Sequence, residues 1–299
     1  VIIERLAIVG IGLIGGSLAR ALKRAVACRE IAGWDLDPQA VQAATRLGVI
    51  DRGAADLQSA VAGAELIVVA VPLGAIAEVF AALADRIPGG AVVTDVGSVK
   101  GTVIDAARQR LGAAFRRFVP GHPVAGTERS GVAASFAELF DGHRVILTPV
   151  AETSGDALAR VSAMWEAAGA TVERLEAALH DELLAATSHL PHLLAYALVD
   201  CLAAERHVPD IFRFAAGGFR DFTRIASSSP AMWRDVLLAN PDAVLEVLGR
   251  FSQRLEALAG AIRAADGRLL MERLAHAKTV RDEFCRRFPA LDRPSDPGR

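Results

Sequence analysis

The chain has 299 residues, of which 52% are hydrophobic and 23% charged. That is enough for one large or two ordinary domains with a sizeable core, and it excludes extended disorder. A net charge of -2 argues against a nucleic-acid or anionic-membrane binder, which carries a basic excess. Cys28, Cys201 and Cys285 lack CxxC spacing, which excludes a disulfide framework and a cysteine zinc site and fits a reducing cytoplasm.

The opening residues Val1 to Arg5 lead straight into a strand pattern and leave no room for a signal peptide. No apolar run approaches the ~20 residues of a membrane helix. Leu6–Val9 predicts a strand and Leu13–Arg24 a helix. A second strand over Glu30–Trp34 precedes a helix from Pro38 to Leu47. Leu66–Val71 is continuously apolar, as a strand buried on both faces of a parallel sheet should be. Ala75–Ala84 reads as helix, Ala91–Val96 as strand and Lys100–Leu111 as helix. Phe118-Val119 and His143–Leu147 are strand-like, Ala157–Ala168 is helical, and Thr171–Leu175 is a further short strand. The alternation predicts a doubly wound, mostly parallel α/β layer of the Rossmann type over residues 1–175.

After Leu175 strand signals end. Glu176–Leu202 is Ala/Leu-rich with helical spacing, interrupted by Pro191. Asp210–Ala215, Phe219–Ile225, Ala231–Leu238, Asp242–Ala264 and Leu269–Phe288 also read as helices. Residues 176–299 are therefore expected to form an all-α domain. Its apolar faces fit either a self-contained bundle or a homodimer interface. The tail from Pro289 to Arg299 carries three prolines and reads as frayed.

Gly10-Ile11-Gly12-Leu13-Ile14-Gly15 is a GxGxxG motif. Alone the pattern is weak; here it follows a strand, opens a helix and is followed by Asp35 at the end of the second strand. Gly10 permits the tight turn, Gly12 admits the pyrophosphate, and Gly15 lets helix and strand pack closely. Leu13 and Ile14 complete the loop, whose N–H groups and helix end favour an anion. A carboxylate at Asp35 accepts from the ribose hydroxyls and repels a 2′-phosphate. NAD is thus expected over NADP, which stays open because Arg46 and Arg52 lie nearby. Val71 and Pro72 end a strand at the edge where open α/β sheets bind ligands. Ser98, in Asp95-Val96-Gly97-Ser98-Val99-Lys100, fits equally an N-cap or a hydroxyl facing nicotinamide or substrate.

Gly121-His122-Pro123-Val124-Ala125-Gly126-Thr127-Glu128 resembles the catalytic motif of the prephenate/arogenate (cyclohexadienyl) dehydrogenase family. The same family's other signatures stand here as Gly10–Ala19, Asp95–Lys100, Ser188-His189-Leu190-Pro191-His192, Gly217–Ala226, Ser229–Trp233 and Asn240. The resemblance runs from Leu6 to about Asn240. No mutase-like helical domain is expected before the first strand, and the residues after Asn240 read as helix and not as an appended regulatory module.

The resemblance implies oxidative decarboxylation of prephenate to 4-hydroxyphenylpyruvate with NAD⁺, or the equivalent use of arogenate, in tyrosine biosynthesis in the cytoplasm. It implies His122 as proton acceptor, a task suited to a neutral imidazole. Ser98 stands beside it. Arg224 clamps a substrate carboxylate through its planar fork, while Arg220 either shares that helix face or pairs with Asp221. His192 is placed near the substrate side chain and His189 near the sheet–helix junction, on a helix kinked by Pro191; plain core histidines are the alternative. Metal is not expected at this pair. Glu128 gates the pocket or forms a loop ion pair. Trp233 reaches the partner's site or sits in the core. His180-Asp181 reads as structural. Tyrosine is expected, if it inhibits, to compete at the active site. A β-hydroxyacid dehydrogenase is less expected, because its usual lysine is missing from Glu176–Leu202. A non-catalytic NAD(H) sensor is the reading from a different class.

Overall fold

The computed structural model describes residues 2–127, 129–205 and 208–288. The chain alternates from the start: β1 (Ile3–Val9), α1 (Leu13–Arg24), β2 (Cys28–Trp34), α2 (Pro38–Arg46), β3 (Arg52–Gly53), α3 (Leu57–Val61), β4 (Leu66–Val69), α4 (Ile76–Leu83), β5 (Val92–Asp95), α5 (Lys100–Arg110) and β6 (Phe118–Val119). Among the described residues these strands form one six-stranded parallel sheet in the order β3-β2-β1-β4-β5-β6. Alternate residues serve its two faces. Leu6, Ile8, Leu66 and Val68 enter one buried cluster, and Ala7, Val9, Ile67 and Val69 enter another. Burial on both faces is why these strands read as unbroken apolar runs. Strand order reverses between β1 and β4, and ligands bind outside the carboxyl ends of strands at such a reversal.

The next strands leave that sheet. β7 (Gly121–Pro123), β8 (Arg144–Leu147) and β9 (Thr171–Arg174), with α6 (Gly155–Ala167) between the last two, form a separate three-stranded sheet. In it β7 pairs antiparallel with β8 and β8 parallel with β9. A single residue, Pro120, separates β6 from β7. His143–Leu147 and Thr171–Leu175, expected in the same layer as the other strands, contribute instead to this second sheet; their apolar pattern is that of any buried strand and carries no sheet address.

The helical part comprises α7 (Ala177–Leu184), a π-helical turn (Ala185–His189), α8 (Leu190–Ala203), α9 (Val208–Arg213), α10 (Gly217–Thr223), a 3₁₀ turn (Arg224–Ser227), α11 (Pro230–Ala239), α12 (Pro241–Arg263) and α13 (Gly267–Arg287). Pro191 does not kink a continuous helix. It sits in the first turn of α8, where its missing N–H costs nothing, and the break is the π turn before it. Contacts divide the chain into one compact unit ending at Val244 and a second beginning at Leu245. The second unit exposes a row of apolar side chains, among them Leu255, Met271 and Leu274. No helix among the described residues is long and apolar enough to cross a membrane.

Candidate active site

The glycine turn has the geometry of a dinucleotide cradle. Gly10 has φ +95°, and a Cβ there would lie 2.5 Å from the Ala70 carbonyl oxygen. A Cβ on Gly15 would lie 2.3 Å from the Gly10 oxygen, so only glycine permits this packing. Gly12, by contrast, faces open space, with nothing within 4 Å of a built Cβ. It is the N-cap of α1, and no side chain among the described residues caps the helix end, which leaves N–H groups for an anion. Leu13 and Ile14 are half-buried behind the turn. The Asp35 carboxylate accepts from the Ile11 N–H at 2.7 Å and the Asp37 N–H at 3.0 Å, which fixes it at the end of β2 beside the turn. Val71 and Pro72 follow β4 at the same edge. These residues fit a bound NAD.

His122 lies in strand β7 and not in a loop, opposite Ile146 of β8. The residue before it is held tightly. Gly121 N–H donates to Asp95 Oδ1 at 3.1 Å, and its carbonyl accepts from Lys100 Nζ at 2.7 Å. Lys100 Nζ is also 2.5 Å from Asp95 Oδ2, and both side chains are fully buried. The turn that carries Ser98 is thereby fastened to the strand that carries His122. Burial pushes the Lys100 ammonium pKa down, and the Asp95 charge opposes that.

Helix α5 begins at Lys100, and its N-cap is Val99, with no side-chain cap. Ser98 is therefore not the cap. The job falls to Asp181 of α7, whose Oδ1 and Oδ2 accept from the N–H groups of Lys100 and Gly101, each at 2.8 Å. Asp181 Oδ1 is also 2.8 Å from His180 Nδ1, and His180 Nε2 is 2.8 Å from His122 Nδ1. A continuous chain thus runs from the start of α5 through Asp181 and His180 to His122. His180 is fully buried, and His122 retains 8% exposure. Burial, with the neighbouring His180, Lys100 and His189, holds the His122 pKa well below the ordinary imidazole value. Burial pushes the Asp181 carboxyl upward, yet the bonds from His180, Lys100 and Gly101 outweigh it and keep its pKa below the usual range.

His189 closes the π turn. Asn240 donates to the Asp181 carbonyl at 2.9 Å and lies 3.4 Å from His189 Nδ1. Burial lowers the His189 pKa to about 4. His192 is half-buried, donates from Nδ1 to the Ser188 carbonyl at 2.8 Å, and stacks on Trp233 at 3.7 Å between centroids. Trp233 is buried within its own chain against Val99, which follows Ser98 in sequence. Buried nitrogens of His189 (Nε2) and Trp233 (Nε1) have no partner among the described residues. Arg224 is exposed at the start of the 3₁₀ turn, which packs on α8 and is tied to it by Tyr196 Oη donating to the Ser228 carbonyl at 2.6 Å. Arg220 pairs with Asp221 at 3.1 Å. Glu128 lies outside the described residues. Sequence reasoning passed over His180, Asp181, Asp95 and Lys100 as site members; the adjacent His-Asp pair and a lysine at an apolar helix start were the available signals.

The depressed histidines set the sign of a pH effect. A group whose folded pKa lies below its unfolded value binds its proton first in the unfolded chain. Stability is therefore lost as pH falls from 6.5 toward the folded pKa. For His189, with folded pKa about 4, lowering the pH from 6.5 to about 5 should cost about 2 kcal/mol, and His122 adds in the same direction. Urea unfolding at the two pH values measures this; a flat profile over that window would contradict the buried, neutral placement.

Comparison with known proteins agrees with this architecture. Sequence models described as prephenate dehydrogenase, nucleotide-binding domain, and prephenate dehydrogenase, dimerization domain, match residues 18–174 and 176–276. The first match begins downstream of the glycine turn, whose assignment rests on its own geometry. The chain is 39% identical to the cyclohexadienyl dehydrogenase of Zymomonas mobilis, over 94% of this chain and 96% of that one. It is 37% identical to the prephenate dehydrogenase of Bacillus subtilis, over 93% and 76%. The structure of A. aeolicus prephenate dehydrogenase in complex with hydroxyphenyl propionate and NAD+ matches with a TM-score of 0.87 and 38% identity, over 94% of this chain and 98% of that one. The chain belongs to the prephenate dehydrogenase family of NAD-dependent oxidoreductases.

Proposed function

We propose that the protein oxidatively decarboxylates prephenate to 4-hydroxyphenylpyruvate, with arogenate as the alternative or second substrate. The observation that carries this reading is His122: buried, held neutral, slightly open to solvent, and fastened to the turn at the carboxyl end of β5. Family membership adds the reaction class, and the names of the relatives include both a cyclohexadienyl and a prephenate dehydrogenase.

Prephenate carries a ring carboxylate, a pyruvyl side chain and a ring hydroxyl. Bound NAD⁺ supplies the hydride acceptor. His122 takes the hydroxyl proton as the ring carbon loses hydride, and loss of CO₂ then aromatises the ring. Ser98 orients the same hydroxyl or the carboxamide. Arg224 grips a carboxylate of the dianion, and His192, His189, Trp233 and Glu128 complete the substrate side. Gly10, Gly12, Leu13, Ile14, Gly15, Val71 and Pro72 form the dinucleotide side, with Asp35 disfavouring NADP.

A domain boundary near residue 175 belongs to the same reading, supported by the point where the two family models meet. So does a homodimer through the helical part, supported by the dimerization-domain match and the exposed apolar side chains of α12 and α13. A cytoplasmic location belongs to the same reading, supported by three cysteines that lack CxxC spacing. Tyrosine, if it inhibits, competes with substrate.

A β-hydroxyacid dehydrogenase would need a free lysine, whereas Lys100 is held between Asp95 and the Gly121 carbonyl. The test is the rise in NADH absorbance when prephenate, arogenate or a 3-hydroxyacid is added with NAD⁺. A rise only with the 3-hydroxyacid, or with none of the three, would overturn the reading. Within it, Arg224→Ala should raise KM for the acid far more than it lowers kcat, as expected for a binding clamp; an unchanged KM would remove Arg224 from that role.

A further inference from the structure

We propose that His180 and Asp181 are positioning residues that set the tautomer of His122 and take up the positive charge created when it accepts a proton. The proposal rests on the assignment of His122 as general base and extends it to two side chains from a different element of the fold.

The tautomers follow from the chain of contacts. An ionised carboxylate only accepts, so His180 Nδ1, 2.8 Å from Asp181 Oδ1, carries hydrogen. With both rings neutral, His180 Nε2 is then a bare acceptor. His122 Nδ1, 2.8 Å away, must be the donor. That leaves the lone pair of His122 on Nε2, the nitrogen not engaged by His180. The hydrogen bond on one ring nitrogen thus decides which chemistry the other can do.

Charge decides the second half of the argument. The groups facing His122 are Lys100 and Asp95 from the β5–α5 turn, His180 and Asp181 from α7, and His189 from the π turn. Lys100 and Asp95 already neutralise each other. An imidazolium confined to His122 would be buried beside the Lys100 ammonium and would be costly. A shift along the chain avoids this. The hydroxyl O–H bond breaks and an N–H bond forms at His122 Nε2, while the oxygen keeps the electron pair that becomes the carbonyl. The His122 Nδ1–H bond breaks and an N–H bond forms at His180 Nε2. The cation then lies on His180, against the Asp181 carboxylate, and the His–His–Asp set passes from a net charge of −1 to neutral. Loss of the Nε2 proton to water and return of the shared proton restore the starting state.

The arrangement obeys the logic of a Ser-His-Asp triad, where replacing the carboxylate by an amide lowers kcat by about 10⁴-fold through the wrong tautomer. Here the effect passes through an additional ring, and it cannot exceed that of removing His122.

His180→Phe keeps a ring but removes both bonds; kcat/KM should fall about 10²-fold, within the range of a general-base contribution. His180→Gln supplies an amide oxygen to His122 Nδ1 and should recover at least roughly tenfold of that loss. Asp181→Asn removes the anion that stabilises the protonated set, so the acidic limb of the kcat/KM profile should move to lower pH. Long-range ¹⁵N correlation spectra of the unaltered holoenzyme should show His122, assigned by its disappearance in His122→Asn, as the Nδ1–H tautomer. This last measurement does not depend on any position-180 variant folding.

Finding the Nε2–H tautomer in the unaltered holoenzyme would overturn the proposal. So would a His180→Phe enzyme with unchanged NAD affinity, kcat/KM and pH profile, or Gln and Phe variants of equal activity. The two levels of the reading separate cleanly. Full activity in His122→Asn defeats the functional assignment itself, whereas an inactive His122→Asn beside an unaltered His180→Phe defeats only the relay.

Discussion

His122→Asn should lower kcat for prephenate oxidation by about 10²- to 10⁴-fold while leaving NAD affinity unchanged. At about 1.4 kcal/mol per decade this is about 3 to 6 kcal/mol of transition-state stabilisation. The expectation follows from where the residue sits. Its ring belongs to β7 of the small sheet, whereas the glycine turn and Asp35 belong to the ends of β1 and β2. Asparagine is smaller but keeps a polar group on the same stem and leaves the pairing of Gly121 with Asp95 and Lys100 intact, so the backbone has no reason to move. Steady-state kinetics and NADH titration together check it. Parallel losses of turnover and cofactor affinity would show that the residue holds the fold and not the proton.

Lys100→Met should have the largest effect on stability, a loss of about 3–5 kcal/mol, because it leaves a buried carboxylate without its counter-charge. Asp95 is fully buried, and after the change the donors left to it among the described residues would be the N–H groups of Gly97 and Gly121. At roughly 2–4 °C per kcal/mol for a chain of this class, Tm should fall by about 10 °C. The methylene stem is preserved, so the loss reports the charge and its bonds and not a cavity. An unfolding free energy from urea titration that changes by less than about 1 kcal/mol would mean that the pair behaves like a surface ion pair.

The nucleotide-binding half was largely legible from residue order. Its strands are buried on both faces, and its glycines are dictated by backbone approach, as the 2.3 and 2.5 Å clashes at Gly15 and Gly10 demonstrate. What was not legible depends on long-range pairing. The chain passes from the main sheet to the separate one at Pro120, a choice that the apolar run Val145–Leu147 does not encode. The π turn that ends at His189 leaves no mark that distinguishes it from a helix with a proline. His180 looked structural because the residue that gives it meaning, His122, lies 58 positions earlier. Asp181, in the same pair, also read as structural, yet it caps a helix 81 positions away. Of the expected substrate-side residues, packing brings His192 and Trp233 together beside Val99, and it sets Arg224 on a turn fastened to α8.

Asp181 serves two duties with one carboxylate: it caps the start of α5 and it anchors the imidazole pair. Attachment of the helical segment to the sheet and readiness for turnover are therefore a single mechanical property. Warming that loosens α7 from α5 would silence the enzyme while the dinucleotide cleft, built on other strands, still held its cofactor.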